Sequence, residues 1–120
     1  MVSPDLGSRL EDIRDGIAAI ADFTAGRTFD DYSAQTMLRH AVERCLGIVA
    51  EASRHIPPGL RARHPDVPWR DVVAVGDVLR YGYDQVVDAR VWEIVTRDLQ
   101  PLKAAVETML REVVAAGGAE

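Results

Sequence analysis

The sequence predicts an all-α protein, an antiparallel up-and-down bundle of four to five helices. Apolar residues recur every three or four positions over long segments, and no alternating run of the kind found in strands competes with them. Hydrophobic residues make up 48% of the chain and aromatic residues only 6%, a mixture that suits packed helices better than a sheet sandwich. Because 120 residues accommodate one core, we expect a single domain over residues 1–120, with a tail that frays from about residue 116.

The first half of the chain predicts two long helices. Ser3-Pro4 begins the first, since serine caps helices and proline fits the first helical position, and Gly26 ends it. The second starts at a Thr28 or Asp30 cap and continues without interruption to His55. Its apolar ridge consists of Met37, Leu38, Ala41, Val42, Cys45, Leu46, Val49 and Ala52. Two prolines then stop it, so residues 60–67 are expected to form a loop with one short turn.

The second half predicts a shorter helix and another long one. The shorter helix runs from Pro68-Trp69 to Tyr81, and Gly76 inside it costs roughly 1 kcal/mol relative to alanine. Asp88 is the expected cap of the last helix. Pro101 falls within the apolar pattern of that helix, which predicts a kink there.

The charge and composition lower the expectation of nucleic-acid binding. The formal net charge is −5 and the sequence pI is about 5.1, whereas tight nonspecific binding to RNA or DNA usually requires a basic surface. There is no apolar run near the roughly 18 residues of a membrane span, and residues 1–10 do not have the pattern of a signal peptide. We therefore expect a cytoplasmic protein without membrane contact.

The residues that could carry metal or redox chemistry favour structural interpretations. Cys45 lies in an apolar helix pattern, so a buried thiol is expected. His40, His55 and His64 lack metal-ligand spacing, and we predict neither a metal nor a cofactor. Trp69 and Trp92 stand near the starts of helices, where we expect packing anchors rather than stacking platforms for bases.

Three phrases of the sequence, in the same order and spacing, resemble the HepT-like toxins of the HEPN superfamily. Residues 41–44 with 51–52 resemble the family's "AVER…EA" stretch, and residues 64–70 resemble "YPeiPWR". Residues 91–95 followed by 98–99 resemble "vWeiv…dLP". The agreement extends from about Leu10 to Leu110, so the resemblance covers most of the chain.

The resemblance implies a dimeric helical bundle in a toxin–antitoxin pair with an MntA-type nucleotidyltransferase. Such a toxin cuts RNA without metal, and its partner silences it by transferring AMP onto a tyrosine. The family signature is arginine, four residues, histidine, one residue and tyrosine. Histidine titrates near neutrality and suits proton transfer at the ribose 2′-hydroxyl and the leaving oxygen. The arginine stabilises the negative charge that builds on the phosphate.

This sequence departs from the signature at its two catalytic positions. Gly76 occupies the arginine position and is followed by Asp77, and Tyr81 occupies the histidine position. The final tyrosine of the signature is present as Tyr83. A tyrosine with a pKa of about 10 is a poor base at neutral pH. We therefore expect a catalytically impaired dimeric binding module. The alternative is a divergent metal-independent RNA endonuclease that is inhibited by AMP transfer onto Tyr83.

The candidate site residues follow from the positions of the altered signature. Tyr81, Arg80 and Asp77 are the candidates for any remaining catalysis, and Tyr83 is the candidate for modification. Arg80, or Arg70 from the opposite end of the helix, could bind phosphate, although both could equally be solvated surface arginines. Tyr83 could also be a helix-end tyrosine whose ring packs on the bundle.

The apolar residues of the third predicted helix favour a homodimer. Five of them occupy more than one side of that helix: Val72, Val73, Val75, Val78 and Leu79. One side can face the bundle and another a second chain, in line with the twofold symmetry of most small oligomers. The resemblance implies that the cleft between the two chains carries the altered signature.

Overall fold

The computed structural model describes residues 5–81 and 85–118, and every regular element in those ranges is helical. This confirms the predicted all-α class. Their α-helices are α1 Leu6–Thr24, α2 Phe29–Ala34, α3 Thr36–Arg54, α4 Pro58–Ala62, α5 Trp69–Tyr81, α6 Gln85–Glu93 and α7 Leu99–Gly118. A π-helical turn, Ile94–Asp98, joins α6 to α7. No helix in the described ranges is long and apolar enough to cross a membrane.

Helix α1 presents the predicted apolar stripe to the core and ends slightly earlier than expected. Its last residue is Thr24, whose hydroxyl donates to the Ile20 carbonyl 2.8 Å away. Gly26 follows with a φ of 70°, a left-handed conformation that glycine adopts without steric cost. The predicted start at Ser3-Pro4 lies outside the described residues.

The prediction of one uninterrupted second helix is wrong, because the chain breaks at Gln35. That residue is extended (φ −108°, ψ 106°) and separates α2 from α3. Thr28 caps α2 as predicted, in a reciprocal capping box with Asp31. The guanidinium of Arg39 donates to the Ser33 carbonyl across the break. This bond satisfies a carbonyl at the end of α2 and stabilises the change of direction.

The connection between α3 and α5 confirms a predicted packing role. A short turn was expected within residues 60–67, and helix α4 supplies one that begins earlier, at Pro58, where a proline fits the first helical position. The Trp69 indole N–H lies 3.1 Å from the carbonyl oxygens of both Arg61 and His64, to which it donates. Trp69 therefore fixes the loop to the start of α5, as expected of an anchor at the beginning of a helix.

Two details of the last predicted helix require correction. The helix begins at Gln85, so Asp88 lies in the first turn of α6 rather than at its cap. The irregularity expected at Pro101 occurs one turn earlier, where the Leu99 N–H donates to the Ile94 carbonyl, five residues back. Because a proline ring crowds the carbonyl four residues before it, here that of Arg97, a wider turn accommodates Pro101.

The core lies where α1, α3, α5 and α7 pack together. The largest fully buried side chains are Tyr32, Leu10, Ile13, Ile20, Leu46, Ile56, Ile94, Leu102, Met109, Val42, Val49 and Val72. The thiol of Cys45 was predicted to be buried, and the residue is partly buried: it packs against this core from the edge of the apolar stripe of α3. The ring centroid of Trp92 lies 5.3 Å from that of Tyr32 and 6.4 Å from that of Phe29, and these aromatic contacts attach α2 to α6.

We expect Tyr32→Phe to leave the protein as stable as the wild type or to stabilise it by about 1 kcal/mol. The Tyr32 hydroxyl is fully buried and makes no hydrogen bond with the described residues. Its removal therefore eliminates a desolvation cost that no hydrogen bond compensates. Chemical denaturation followed by circular dichroism measures this difference. In contrast, Tyr32→Ala should cost about 3–5 kcal/mol because it removes the ring. A loss of more than about 1 kcal/mol in Tyr32→Phe would show that the hydroxyl has a partner.

Candidate functional site

A surface groove of about 370 Å³ runs along the contact between α3 and α5. Helix α3 contributes Glu43, Arg44, Gly47, Ala50, Glu51 and Arg54 to its lining, and α5 contributes Val73, Gly76, Leu79 and Arg80. The two helices pack directly on each other, with Val72 and Val75 of α5 buried in the core. The flank of α5 beside these buried valines presents Gly76 and Arg80 to the groove.

Gly76 leaves the arginine position of the signature without a charge. A Cβ built on Gly76 would lie 3.5 Å from the Ala50 Cβ, an ordinary van der Waals contact. Position 76 could therefore accept a Cβ atom without displacing α3. The missing arginine is a property of the sequence and is not imposed by crowding.

The other candidates on α5 occupy different surroundings. Arg80 lines the groove, and its Nη1 lies 3.8 Å from Asp77 Oδ1 in a solvent-exposed ion pair. Asp77 and Tyr81 are not among the described residues that line the groove, and Tyr81 is 70% exposed. Arg70 is exposed at the opposite end of α5. Tyr83, the candidate for modification, lies outside the described residues.

Helix α3 supplies groove residues that the sequence analysis did not assign to the site. Three of them, Glu43, Arg44 and Glu51, belong to the phrase that carries the family resemblance. Arg54 extends the same side of the helix by one turn. The resemblance was therefore a signal for these positions, although nothing in their spacing distinguishes them from ordinary surface charges.

The two glutamates of the groove differ in their electrostatic environment. Glu51 Oε1 lies 3.2 Å from His55 Nε2, and Glu51 Oε2 lies 3.7 Å from Arg54 Nε. The hydrogen bond to His55, assisted by the charge of Arg54, lowers the pKa of Glu51. Burial raises the pKa of Glu43, an effect that His40 opposes and Asp88 reinforces. The groove therefore contains one strongly ionised carboxylate and one that retains its proton more readily.

The groove can bind an anion but has no evident acid–base pair for RNA cleavage. Arg44, Arg54 and Arg80 provide three guanidinium groups, which are suited to phosphate. Among the described residues, no histidine lines the groove. Within the same ranges, no group of three or more histidine, cysteine, aspartate or glutamate residues could hold a metal ion.

We expect Glu43→Gln to change how the stability of the protein depends on pH. Because the pKa of Glu43 is raised in the folded state, the wild type loses stability as the pH rises through the range from the unfolded to the folded pKa. The glutamine variant lacks this loss, so its stability relative to the wild type should increase as the pH rises above the ordinary pKa of glutamate. Urea denaturation of both proteins across this range measures the difference. A difference that is constant with pH would show that the Glu43 pKa is not raised.

The fold and the groove define the class of protein as a small helical bundle with a charged cleft between two packed helices. The HepT-like ribonuclease family model matches residues 13–109. The chain therefore belongs to the HepT-like ribonuclease family, and the match includes every residue that lines the groove.

Individual relatives agree with this assignment. The chain is 38% identical over 101 residues to "Probable ribonuclease HepT" of Thermococcus cleftensis, and the match covers 83% of this chain and 91% of the relative. It is 32% identical over 107 residues to a "Putative RNase" of Methanocaldococcus jannaschii, which covers 89% and 98% of the two chains. A "Putative RNase" of Caldanaerobacter subterraneus is 27% identical, with coverage of 86% and 92%. No solved structure gives a significant match.

Proposed function

We propose that this chain is a catalytically impaired, dimeric HepT-like binding module. It acts in the cytoplasm as one component of a toxin–antitoxin pair with a nucleotidyltransferase of the MntA type. It retains the helical scaffold and the groove of its family but does not cut RNA. The relatives named as ribonucleases establish the origin of the scaffold, and the residues in the groove argue against the activity.

One observation carries this proposal: Gly76 faces the groove where the family signature has arginine. Without that guanidinium, the phosphate clamp of the signature is missing, and removal of one such group typically costs a factor of about 100–1,000 in rate. Tyr81 stands at the histidine position and is exposed to solvent, so the signature's imidazole is replaced by a phenol, a side chain that is a poor base at neutral pH. Loss of the acid–base group removes about another 100–10,000-fold.

Expression in a bacterial host that lacks the partner tests the loss of activity in cells. We expect growth to continue and the extracted total RNA to retain the size distribution of uninduced cells. The matched comparison is Tyr83→Phe, which removes the candidate modification site and changes none of the described residues that line the groove. Growth arrest with fragmented RNA in both strains would overturn the proposed impairment.

Co-expression with a nucleotidyltransferase encoded beside the chain tests the proposed partnership. We expect the two proteins to purify together and the Tyr83 peptide to gain the mass of one AMP. The Tyr83→Phe variant should lack that addition while still binding the partner. If the two proteins do not associate, and Tyr83 is not modified, the partnership is wrong.

A divergent ribonuclease is the second candidate function, and the arginines of the groove favour it. Arg80 lies one turn after Gly76 and lines the same cleft, and Arg44 and Arg54 approach from α3. These groups could replace the missing phosphate clamp, with AMP transfer onto Tyr83 as the inhibiting reaction. In that case, RNA fragmentation in cells should disappear in Arg80→Gln and persist in Arg63→Gln, which changes an arginine outside the groove lining.

A further inference from the structure

The outer face of α3 carries two opposite charges, Arg44 and Glu51, of which only Glu51 has partners within the described part of the chain. Its contacts with His55 and Arg54 lie at the surface and leave the Glu51 side chain half exposed. Arg44 and Glu51 are seven residues apart, or two helical turns, and therefore lie on the same side of α3. Gly47 and Ile48 lie between them on that side. Arg44 is exposed and has no ion pair with a described residue, and Ile48 is one of the large apolar side chains left exposed.

The two charges are placed so that a twofold rotation about a point between them exchanges the positive position with the negative one. Arg44 and Glu51 are equally distant along the sequence from the point between Gly47 and Ile48. A twofold axis through that point would bring Arg44 of one copy opposite Glu51 of the other, and the reverse, so both pairs would form at once. Opposite charges placed in this way complement each other, whereas a parallel arrangement would oppose like charges.

The centre of the same face allows close approach. Gly47 has no side chain, and a Cβ built there would meet nothing within 4 Å. Gly47 also lies where two surface grooves adjoin, one between α3 and α5 and the other between α1 and α3. A second helix crossing at Gly47 could therefore approach the backbone of α3 and cover Ile48.

We propose that a second copy of this chain docks on α3, with Gly47 and Ile48 at the twofold axis and reciprocal ion pairs between Arg44 and the partner's Glu51. The inference rests on the dimer in the proposed function and specifies its interface. Since Arg44, Gly47 and Glu51 also line the α3–α5 groove, the partner's α3 forms its outer wall. The two grooves then face each other across the axis, and each is incomplete in a single chain.

Charge reversal combined with analytical ultracentrifugation tests this interface on the full-length chain. We expect a wild-type dimer, whereas Arg44→Glu and Glu51→Arg each increase the dimer dissociation constant by at least about tenfold, because each places like charges in both contacts. The double variant exchanges the two charges and should restore the dissociation constant to within about threefold of the wild type. Exchanging the exposed Arg63–Glu112 pair is the matched control and should leave dimerisation unchanged. Circular dichroism verifies that each variant is folded.

A steric variant provides an independent readout at the axis. Gly47→Trp adds a large side chain where a single chain has open space, so the folded monomer should accept it and the dimer should not. Dimerisation that is unaffected by this change would overturn the proposed axis.

The outcomes separate this inference from the proposed function. A wild-type dimer that is insensitive to both single reversals would overturn this interface and leave the dimer intact. Single variants that weaken the dimer without recovery in the double variant would overturn the pairing of Arg44 with Glu51. A monomeric wild type would overturn both the interface and the proposed dimer, while the RNA assay would still decide the question of catalysis.

Discussion

The double substitution Gly76→Arg and Tyr81→His is expected to give this chain a metal-independent ribonuclease activity that the wild type lacks. The two changes recreate the family spacing of arginine, four residues, histidine, one residue and tyrosine, with Tyr83 already present. The arginine supplies a phosphate clamp, and the histidine supplies a group that titrates near neutral pH. Together they should increase the cleavage rate by at least about 1,000-fold.

The structure has room for a Cβ atom at position 76 and for an exposed side chain at position 81. The Gly76 Cβ position makes only an ordinary 3.5 Å contact with the Ala50 Cβ, and Tyr81 is exposed, so neither change requires repacking of the core. Cleavage of a labelled oligoribonucleotide in the presence of a chelator measures the gain. Gly76→Arg with Tyr81→Phe is the matched control, because it adds the clamp without a base. A folded, dimeric double variant without activity would show that further catalytic features have been lost.

Gly16→Leu is expected to destabilise the fold by about 2 kcal/mol or more. A Cβ at Gly16 would lie 2.7 Å from Val49 Cγ2 and 3.4 Å from the Cys45 carbonyl oxygen, where α1 packs against α3. Overpacking of this kind typically costs about 1–3 kcal/mol and sometimes more, whereas the better helix propensity of leucine recovers only about 1 kcal/mol. Val49 is β-branched and fully buried, so it has little freedom to move away.

Ala18→Leu is the matched control for this prediction. Ala18 is exposed on the same helix, so a leucine there should change stability by only about 0.5 kcal/mol. Urea denaturation of both variants gives the comparison. Equal stability of the two variants would contradict the close contact between α1 and α3 at Gly16.

Helix periodicity was sufficient to predict the all-α class and most of the long helices, because an apolar stripe with period 3.6 specifies which side of a helix is buried. It did not predict the break at Gln35, since the stripe continues on both sides of that residue. The break is stabilised by the Arg39 contact with Ser33, six residues away, and neither residue type by itself signals such a contact. The kink expected at Pro101 occurs instead as a π turn at Ile94–Asp98, because the proline ring crowds the carbonyl of Arg97.

Half of the candidate site could be predicted from the sequence. Counting from Trp69 assigned the altered signature to Gly76 and Tyr81, and the structure places Gly76 in a groove. The contribution of α3 could not be predicted, because Arg44 and Glu51 resemble ordinary exposed helix charges until α5 is packed beside them. Spacing along a single helix does not reveal which neighbouring helix completes a site.

The most direct test of the central claim is the cleavage rate of purified wild-type protein on a labelled oligoribonucleotide in the presence of a chelator. Since Gly76 provides no phosphate clamp and Tyr81 provides no base, we expect a rate equal to that of Arg80→Gln and Tyr81→Phe, both at the level of buffer alone. Cleavage by the wild type that persists under chelation and is lost in either variant would contradict the claim.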